Sequence, residues 1–278
     1  IYTTQKPVPQ EIIDKYEGCY LTPGGVLRVM FYGTTCQINR ETTRGDSTAL
    51  HKNLKYDGTT WKSNDDLRFF FTEHEQNIYL MSILKGRRIP QAQKAKAYMN
   101  FSEKWATRLD KKFIVIDTTP YDLVIREIMT GFWIKPLPEY PGILIASFSG
   151  RTDGDVYGVF EAPFQALNDE VGKGFLNTPA NPSRDMISPH FYTSDGVEYC
   201  KVASYLYRET ESLPAYTKQG FHQGKTNRVY RINEEVTHSP EVPNGRRILI
   251  MNSDLTVIYD SLFQDTFTPV KDGYISFI

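Results

Sequence analysis

Cysteine is scarce: Cys19, Cys36 and Cys200 are the only three in 278 residues. They are too few and too scattered for a disulfide scaffold or a CxxC zinc site. Cys19 and Cys36 are placed to pair across neighbouring strands, or to remain lone buried thiols, and compartment is not readable from them. Basic excess is also missing. Lys and Arg number 32 against 33 Asp and Glu, a formal net charge of -1. A nucleic-acid binder needs surplus cations to displace counterions from phosphates, so no nucleic-acid partner is expected. There is no run of about 18 apolar residues, which excludes a helical membrane span. No G-x-S-x-G elbow occurs, and none of His51, His74, His190, His222 and His238 pairs at i, i+4 as in H-E-x-x-H. Gly172-Lys173-Gly174 lacks the length and following helix of a phosphate loop and reads as loop flexibility.

What the chain has instead is aromatic residues, 18 Tyr and 16 Phe, within a 40% hydrophobic share. Flat rings favour a half-buried pleated surface, so the expected class is all-β. The opening, Ile1 to Pro9, reads as an extended linker cut from something longer, and Glu11 to Tyr16 as a helical turn or strand entry. Strand-like runs follow at Val26 to Phe31, Leu67 to Phe71 and Ile78 to Leu84, separated by Gly and Asp turn signals. Arg28 and Lys85 fall within them at positions that alternation sends to solvent. Phe101, Trp105 and Leu109 are four apart and predict an amphipathic helix, capped by Asn100 or Ser102, with Arg108, Lys111 and Lys112 at its carbonyl end. Strands then resume at Lys112 to Asp117, Leu123 to Met129, Ile143 to Phe148 and Val156 to Phe160. Further runs are Tyr199 to Arg208, Arg228 to Asn233, Arg246 to Asn252, Thr256 to Asp260 and Gly273 to Ile278.

This spacing predicts two antiparallel β-barrel or sandwich units joined by a short helix. The first covers residues 10–99, the connector 100–110 and the second 111–278. A four-residue echo supports two similar units: Lys15-Tyr16-Glu17-Gly18 returns as Glu139-Tyr140-Pro141-Gly142. The one long irregular stretch runs from Glu161 to Ser183, and loops of that length are functional or mobile. Its exposed-looking Phe164 and Phe175 make it a candidate inter-domain contact. Arg184 and Asp185 just beyond it read as an ion pair anchoring the loop.

Three patterns test for chemistry. Ser82-Ile83-Leu84-Lys85 matches the S-x-x-K of serine penicillin-recognising enzymes, where the amine one helical turn away takes the hydroxyl proton. Here the match lies in a strand-like run, which points i and i+3 to opposite faces, and Tyr98-Met99-Asn100 follows too soon. Glu73-His74-Glu75 reads as a solvated turn. Asp153 and Asp155 flank a glycine and read as turn chemistry, with calcium ligation the alternative. Catalytic, metal and cofactor-binding residues are therefore expected to be none.

Ile12 to Tyr20, with Gly25-Val26-Leu27-Arg28-Val29 after it, resembles the start of the small lipocalin-like barrels that follow the catalytic domain in β-lactamase-related serine hydrolases. Lys104 to Val115 resembles the segment between tandem C-terminal units of such enzymes, as do Ser183 to Ile187 and Val257 to Ser261. The resemblance implies a secreted or envelope-facing protein. Its nucleophile domain would lie N-terminal to Ile1, and this chain would be a non-catalytic accessory region that packs on that domain and limits substrate access. An extracellular binding module for a glycan, peptide or lipid is the alternative, with Trp61, Trp133 and the tyrosines as its aromatic surface. A dispersed-site hydrolase is the third reading.

Overall fold

Val26 to Phe31 alternates its side chains between two faces, and the computed structural model shows where each face goes. It describes residues 7–42, 45–63, 67–117, 129–149, 160–175, 188–217, 228–241 and 247–277. Among these, the protein is all-β, with two large antiparallel units joined by a short helix.

The first unit is an eight-stranded meander: β1 (Gly18–Thr22), β2 (Gly25–Tyr32), β3 (Thr35–Glu41), β4 (Ser47–Tyr56), β5 (Trp61–Lys62), β6 (Arg68–His74), β7 (Asn77–Leu84) and β8 (Arg87–Lys94). Each strand pairs with the next, and Tyr20 and Leu21 of β1 pair with Lys94 and Gln93 of β8, closing the barrel. Closure leaves no open edge to pair with another chain. Leu27, Val29 and Phe31 point inward with Cys36, Ile38, Leu54, Trp61, Phe69 and Leu80, so side chains fill the interior. A short helix, α1 (Gln10–Tyr16), precedes the strands and lays Ile12, Ile13 and Tyr16 on this core. The Tyr16 ring stacks on Phe71 at 4.5 Å.

His51 of β4 packs on Phe69, ring centroids 4.7 Å apart, and partial burial lowers its pKa. The folded value thus lies below the unfolded one of about 6.5. Its contribution to stability is complete above about pH 6.5 and is lost as pH falls through the folded value. Denaturation of the first barrel is expected to shift to lower urea between pH 7.5 and pH 5. The shift should shrink in His51→Gln, and an identical shift in both proteins would refute this.

The second unit repeats the plan. After helix α2 (Glu103–Ala106) come β9 (Lys112–Asp117), β10 (Gly131–Pro136), β11 (Ile143–Ser149) and β12 (Phe160–Ala166). They continue with β13 (Gly172–Gly174), β14 (His190–Ser194), β15 (Val197–Val202) and β16 (Tyr205–Glu209). β16 returns to pair with β9, while Val171 and His190 form a bridge between the two remaining edges. The sheet is thereby rolled into a second, nearly closed barrel. Phe113, Phe132, Phe148, Phe164, Phe191 and Tyr207 fill it, ring against ring at about 5 Å.

Several expectations need correction. The connecting helix is a single turn, and Ser102 precedes it without a side-chain cap. Trp105 is nonetheless fully buried, with Phe101 and Leu109 beside it. Tyr199 to Arg208 is two strands, because Ala203 takes a left-handed conformation (φ 52°) and turns the chain. Residues 111–278 also hold more than a barrel. β17 (Arg228–Ile232), β18 (Ile248–Met251), β19 (Val257–Asp260) and β20 (Gly273–Phe277) make a separate sheet in the order β17-β20-β18-β19. The stretch after Glu161 is ordered as β12 and β13 before residue 176. Gly172 is no flexible hinge: a Cβ there would overlap the Phe164 ring and lie 2.9 Å from Pro189. The strands read at Leu123 to Met129 and Val156 to Phe160 lie almost wholly outside the described residues.

The units pack in series. Cys19, Leu21 and Val26 on the outer face of the first barrel meet Ile143, Ile145 and Phe175 of the second. The C-terminal sheet lays Val229, Leu249, Met251 and Val257 on Ile114, at the outer face of β9. Its far side is covered by Val236 and Val270, with Tyr216 and Phe267 partly buried against it.

Candidate functional site

The sequence-derived candidates separate on inspection. Ser82 is buried within β7 and accepts a hydrogen bond from Gln91 Nε2 at 2.9 Å. Lys85 sits in the exposed turn beyond the strand with φ 49°, so its amine is not aligned with the hydroxyl. Tyr98 packs on Phe175. Glu73-His74-Glu75 is an exposed hairpin end, with His74 Nε2 3.7 Å from Glu75. Asp153 and Asp155 are outside the described residues.

The inter-domain candidates divide likewise. Phe164 is completely buried inside the second barrel, 5.5 Å from Trp105, and is therefore not an exposed contact. Phe175 is also buried, 6% exposed, in the seam between the barrels. Both are turned inward because β12 and β13 continue the barrel wall instead of leaving it. Arg184 and Asp185 lie outside the described residues. Trp61 and Trp133 are buried as well, which removes them from any aromatic binding surface.

Polar contacts finish the seam. Arg28, expected in solvent, reaches Glu41 at 2.5 Å and Glu139 of the second barrel at 2.8 Å. Tyr140 Oη accepts from the Cys19 amide at 3.4 Å, and Tyr98 N donates to Pro141 O at 2.9 Å. The Lys15–Gly18 and Glu139–Gly142 echo is thus no repeat of position. One copy enters β1, whereas the other is the β10–β11 turn and packs against it.

All three cysteines are free and buried. Cys19 faces the seam and Cys36 the interior of the first barrel, so the pair cannot bridge. Burial pushes both thiols up to about 12 and Cys200 well above its ordinary value. A thiolate-directed reagent such as an aromatic disulfide is expected to label none of the three in the native protein and all three in denaturant. Rapid labelling of a folded sample would contradict this arrangement.

One charged cleft stands out among the described residues, where the second barrel meets the C-terminal sheet. It encloses about 330 Å³. The barrel side supplies Asp110, Lys111 and Lys112 before and in β9, with Glu209, Thr210 and Glu211 after β16. The sheet side supplies Arg231 of β17 and Tyr274 of β20, which are register partners. Strand alternation places Arg231 on the same face as Val229, towards the barrel. Its backbone is fixed on one side by N donating to Pro214 O at 2.9 Å and O accepting from Tyr216 N at 2.8 Å, and it pairs with Tyr274 of β20 on the other.

The cleft's cations are unequally committed. Lys111 binds Glu209 at 3.0 Å and Glu198 at 3.5 Å. Burial opposes its charge, yet these carboxylates outweigh that cost and raise its pKa. Lys112 donates to Ser253 O at 2.6 Å and lies 3.5 Å from Asp254. Arg231 differs: its Nε is buried without a hydrogen-bond partner, and no carboxylate among the described residues lies within ion-pair distance. A buried guanidinium nitrogen left this way costs free energy on the order of 1–3 kcal/mol or more. Within Arg228 to Ile232, Arg231 shares its strand face with Val229 alone, so the sequence by itself does not mark this site.

Comparison with protein families, curated proteins and solved structures found no match for this chain.

Proposed function

We propose that this chain is a non-catalytic accessory region of a secreted, β-lactamase-related serine hydrolase, packing on the catalytic domain and modulating substrate access. The observation that carries the reading is the filling of both barrels. Aromatic and aliphatic side chains occupy the interiors that a ligand-carrying barrel would keep open. Such bodies act through their outer surfaces and their fixed relation to one another. The seam, with its buried Cys19, Ile143, Ile145 and Phe175, supports a body that holds its shape when docked. The opening segment and the inter-barrel segment resemble the corresponding parts of these enzymes.

The test starts from the coding sequence upstream of Ile1. It should contain S-x-x-K followed at a distance by Y-x-N, and removing residues 7–277 should change the preference for long over short substrates while sparing acyl transfer. A secretion signal directly before Ile1 would favour the binding module instead. That second reading has one observation of its own, the charged cleft with its uncommitted arginine.

A further inference from the structure

We infer that the cleft between the second barrel and the C-terminal sheet binds a small zwitterion of the amino-acid or dipeptide class, its carboxylate held by Arg231 and its ammonium by Glu211 and Asp110. The inference does not rest on the accessory reading, since it concerns a site contained within this chain.

Three observations converge on it. The first is size: about 330 Å³ falls at the lower end of the roughly 300–1,000 Å³ of small-ligand sites. The second is the state of the charges. Glu209 and Lys111 neutralise each other, and Lys112 is engaged by the turn at Ser253 and Asp254. This leaves Arg231 on the inner wall, while Asp110 and Glu211 are exposed at the opposite rim. An inner cation facing rim carboxylates, none within ion-pair distance of the other, matches a ligand carrying both signs a few ångströms apart. A simple anion would meet the two rim carboxylates, and a simple cation would meet Arg231.

The third observation is rigidity. Arg231 is held by β20 on one side and by residues 214–216 on the other, and Glu211 lies in the 3₁₀ turn Thr210–Ser212. That turn is tied down in its own right: Arg208 donates to Ser212 Oγ at 2.9 Å and to Ser212 O at 2.6 Å. The backbone beneath the guanidinium is thus fixed, and its Nη atoms, unlike the shielded Nε, are placed for bidentate recognition of a carboxylate. Tyr274, beside Arg231, adds an apolar wall for a small side chain.

Calorimetric titration of the 278-residue chain with alanylalanine, its C-terminal amide and its N-acetyl derivative tests the assignment. The free dipeptide is expected to bind, and each blocked form to bind at least about tenfold more weakly, the loss of about 1.4 kcal/mol. Arg231→Gln should abolish binding of the free dipeptide. Glu211→Gln alters an exposed side chain and serves if the arginine variant misfolds; it should weaken the free dipeptide but leave the N-acetyl form unchanged. Absence of binding by alanylalanine at about 10 mM would overturn the inference. So would equal binding of all three compounds, or tighter binding of the amide than of the zwitterion.

Discussion

Trp105→Ala is expected to lower the unfolding free energy of the second barrel by about 3–5 kcal/mol, the cost of removing a fully buried aromatic ring. Trp105 is 0% exposed. Its ring packs against Phe191 at 5.2 Å and Phe164 at 5.5 Å, and the Arg108 guanidinium lies 4.7 Å from it. Its indole Nε1 donates to Asn168 O at 2.5 Å. Asn168 in turn accepts at Oδ1 from the amides of Glu170 and Val171, each at 2.8 Å, so the ring props the turn that leads into β13. Arg108 is 1% exposed, bonded to Glu198 at 2.7 Å and to Asp169 O at 2.5 Å. Loss of the ring would strip one face of a buried cation. Urea unfolding combined with amide exchange measures the effect. Protection should fall in β9, β12 and β14 and persist in β1–β8. Equal loss in both barrels would show that they unfold as one unit and would contradict the separate cores.

Gly142→Ala is expected to cost about 2–4 kcal/mol, adding backbone strain to steric overlap. Gly142 holds φ at +84°, and a Cβ there would overlap the Met99 carbonyl oxygen and lie 2.9 Å from Tyr98 Cβ. The overlap involves backbone, so a rotamer change cannot relieve it. It would push the β10–β11 turn off the inter-barrel segment and break the bond from Tyr98 N to Pro141 O. Gly45→Ala is the control. Gly45 has φ +88° but nothing within 4 Å of a Cβ, so strain alone of about 1 kcal/mol is expected. Denaturant midpoints of the two variants measure the difference, with amide exchange at Tyr98 reporting the seam. If the two variants lose equal stability, the turn is not in contact with the linker.

The class of fold was legible because alternation and short β-prone runs dominate it. Leu27, Val29 and Phe31 share the parity that faces the first barrel's interior, with Arg28 on the other, whereas Ile78 to Leu84 and Phe113 to Ile116 read as strands from short runs of β-branched, aromatic and other apolar residues. Gly131 to Pro136 carries no two-residue period because both its faces are covered: Phe132 and Ile134 face the core, while Trp133 is buried outside it. β4 lacks an apolar pattern for the opposite reason, being mostly exposed along Ser47 to Tyr56. Phe164 and Phe175 were read as exposed because Pro163, Gly172 and Gly174 resemble loop chemistry. Gly172 instead admits the Phe164 ring against the edge strand β13. The cleft was not visible because its walls, residues 110–112, 209–211, 231 and 274, come from four separate stretches brought together only by packing of the C-terminal sheet. Arg108 illustrates the same limit. Its position near the helix end implies a solvated dipole partner, yet Trp105 and Phe191 enclose it.

The seam joins unlike surfaces, and this has a consequence for assembly. The first barrel contributes β1 and β2, whereas the second contributes β11 and β12, the counterparts of β3 and β4 in the first. A head-to-tail join of this kind would propagate if each barrel offered both surfaces to a neighbour. The chain blocks that at both ends. The C-terminal sheet occupies the β9 surface of the second barrel, where a third module would dock. At the other end, β4 presents the exposed Lys52 and Lys55 in place of an apolar partner surface. Among the described residues, the two surfaces through which this join would be repeated are therefore taken, much as capping repeats cover the stacking face of a solenoid.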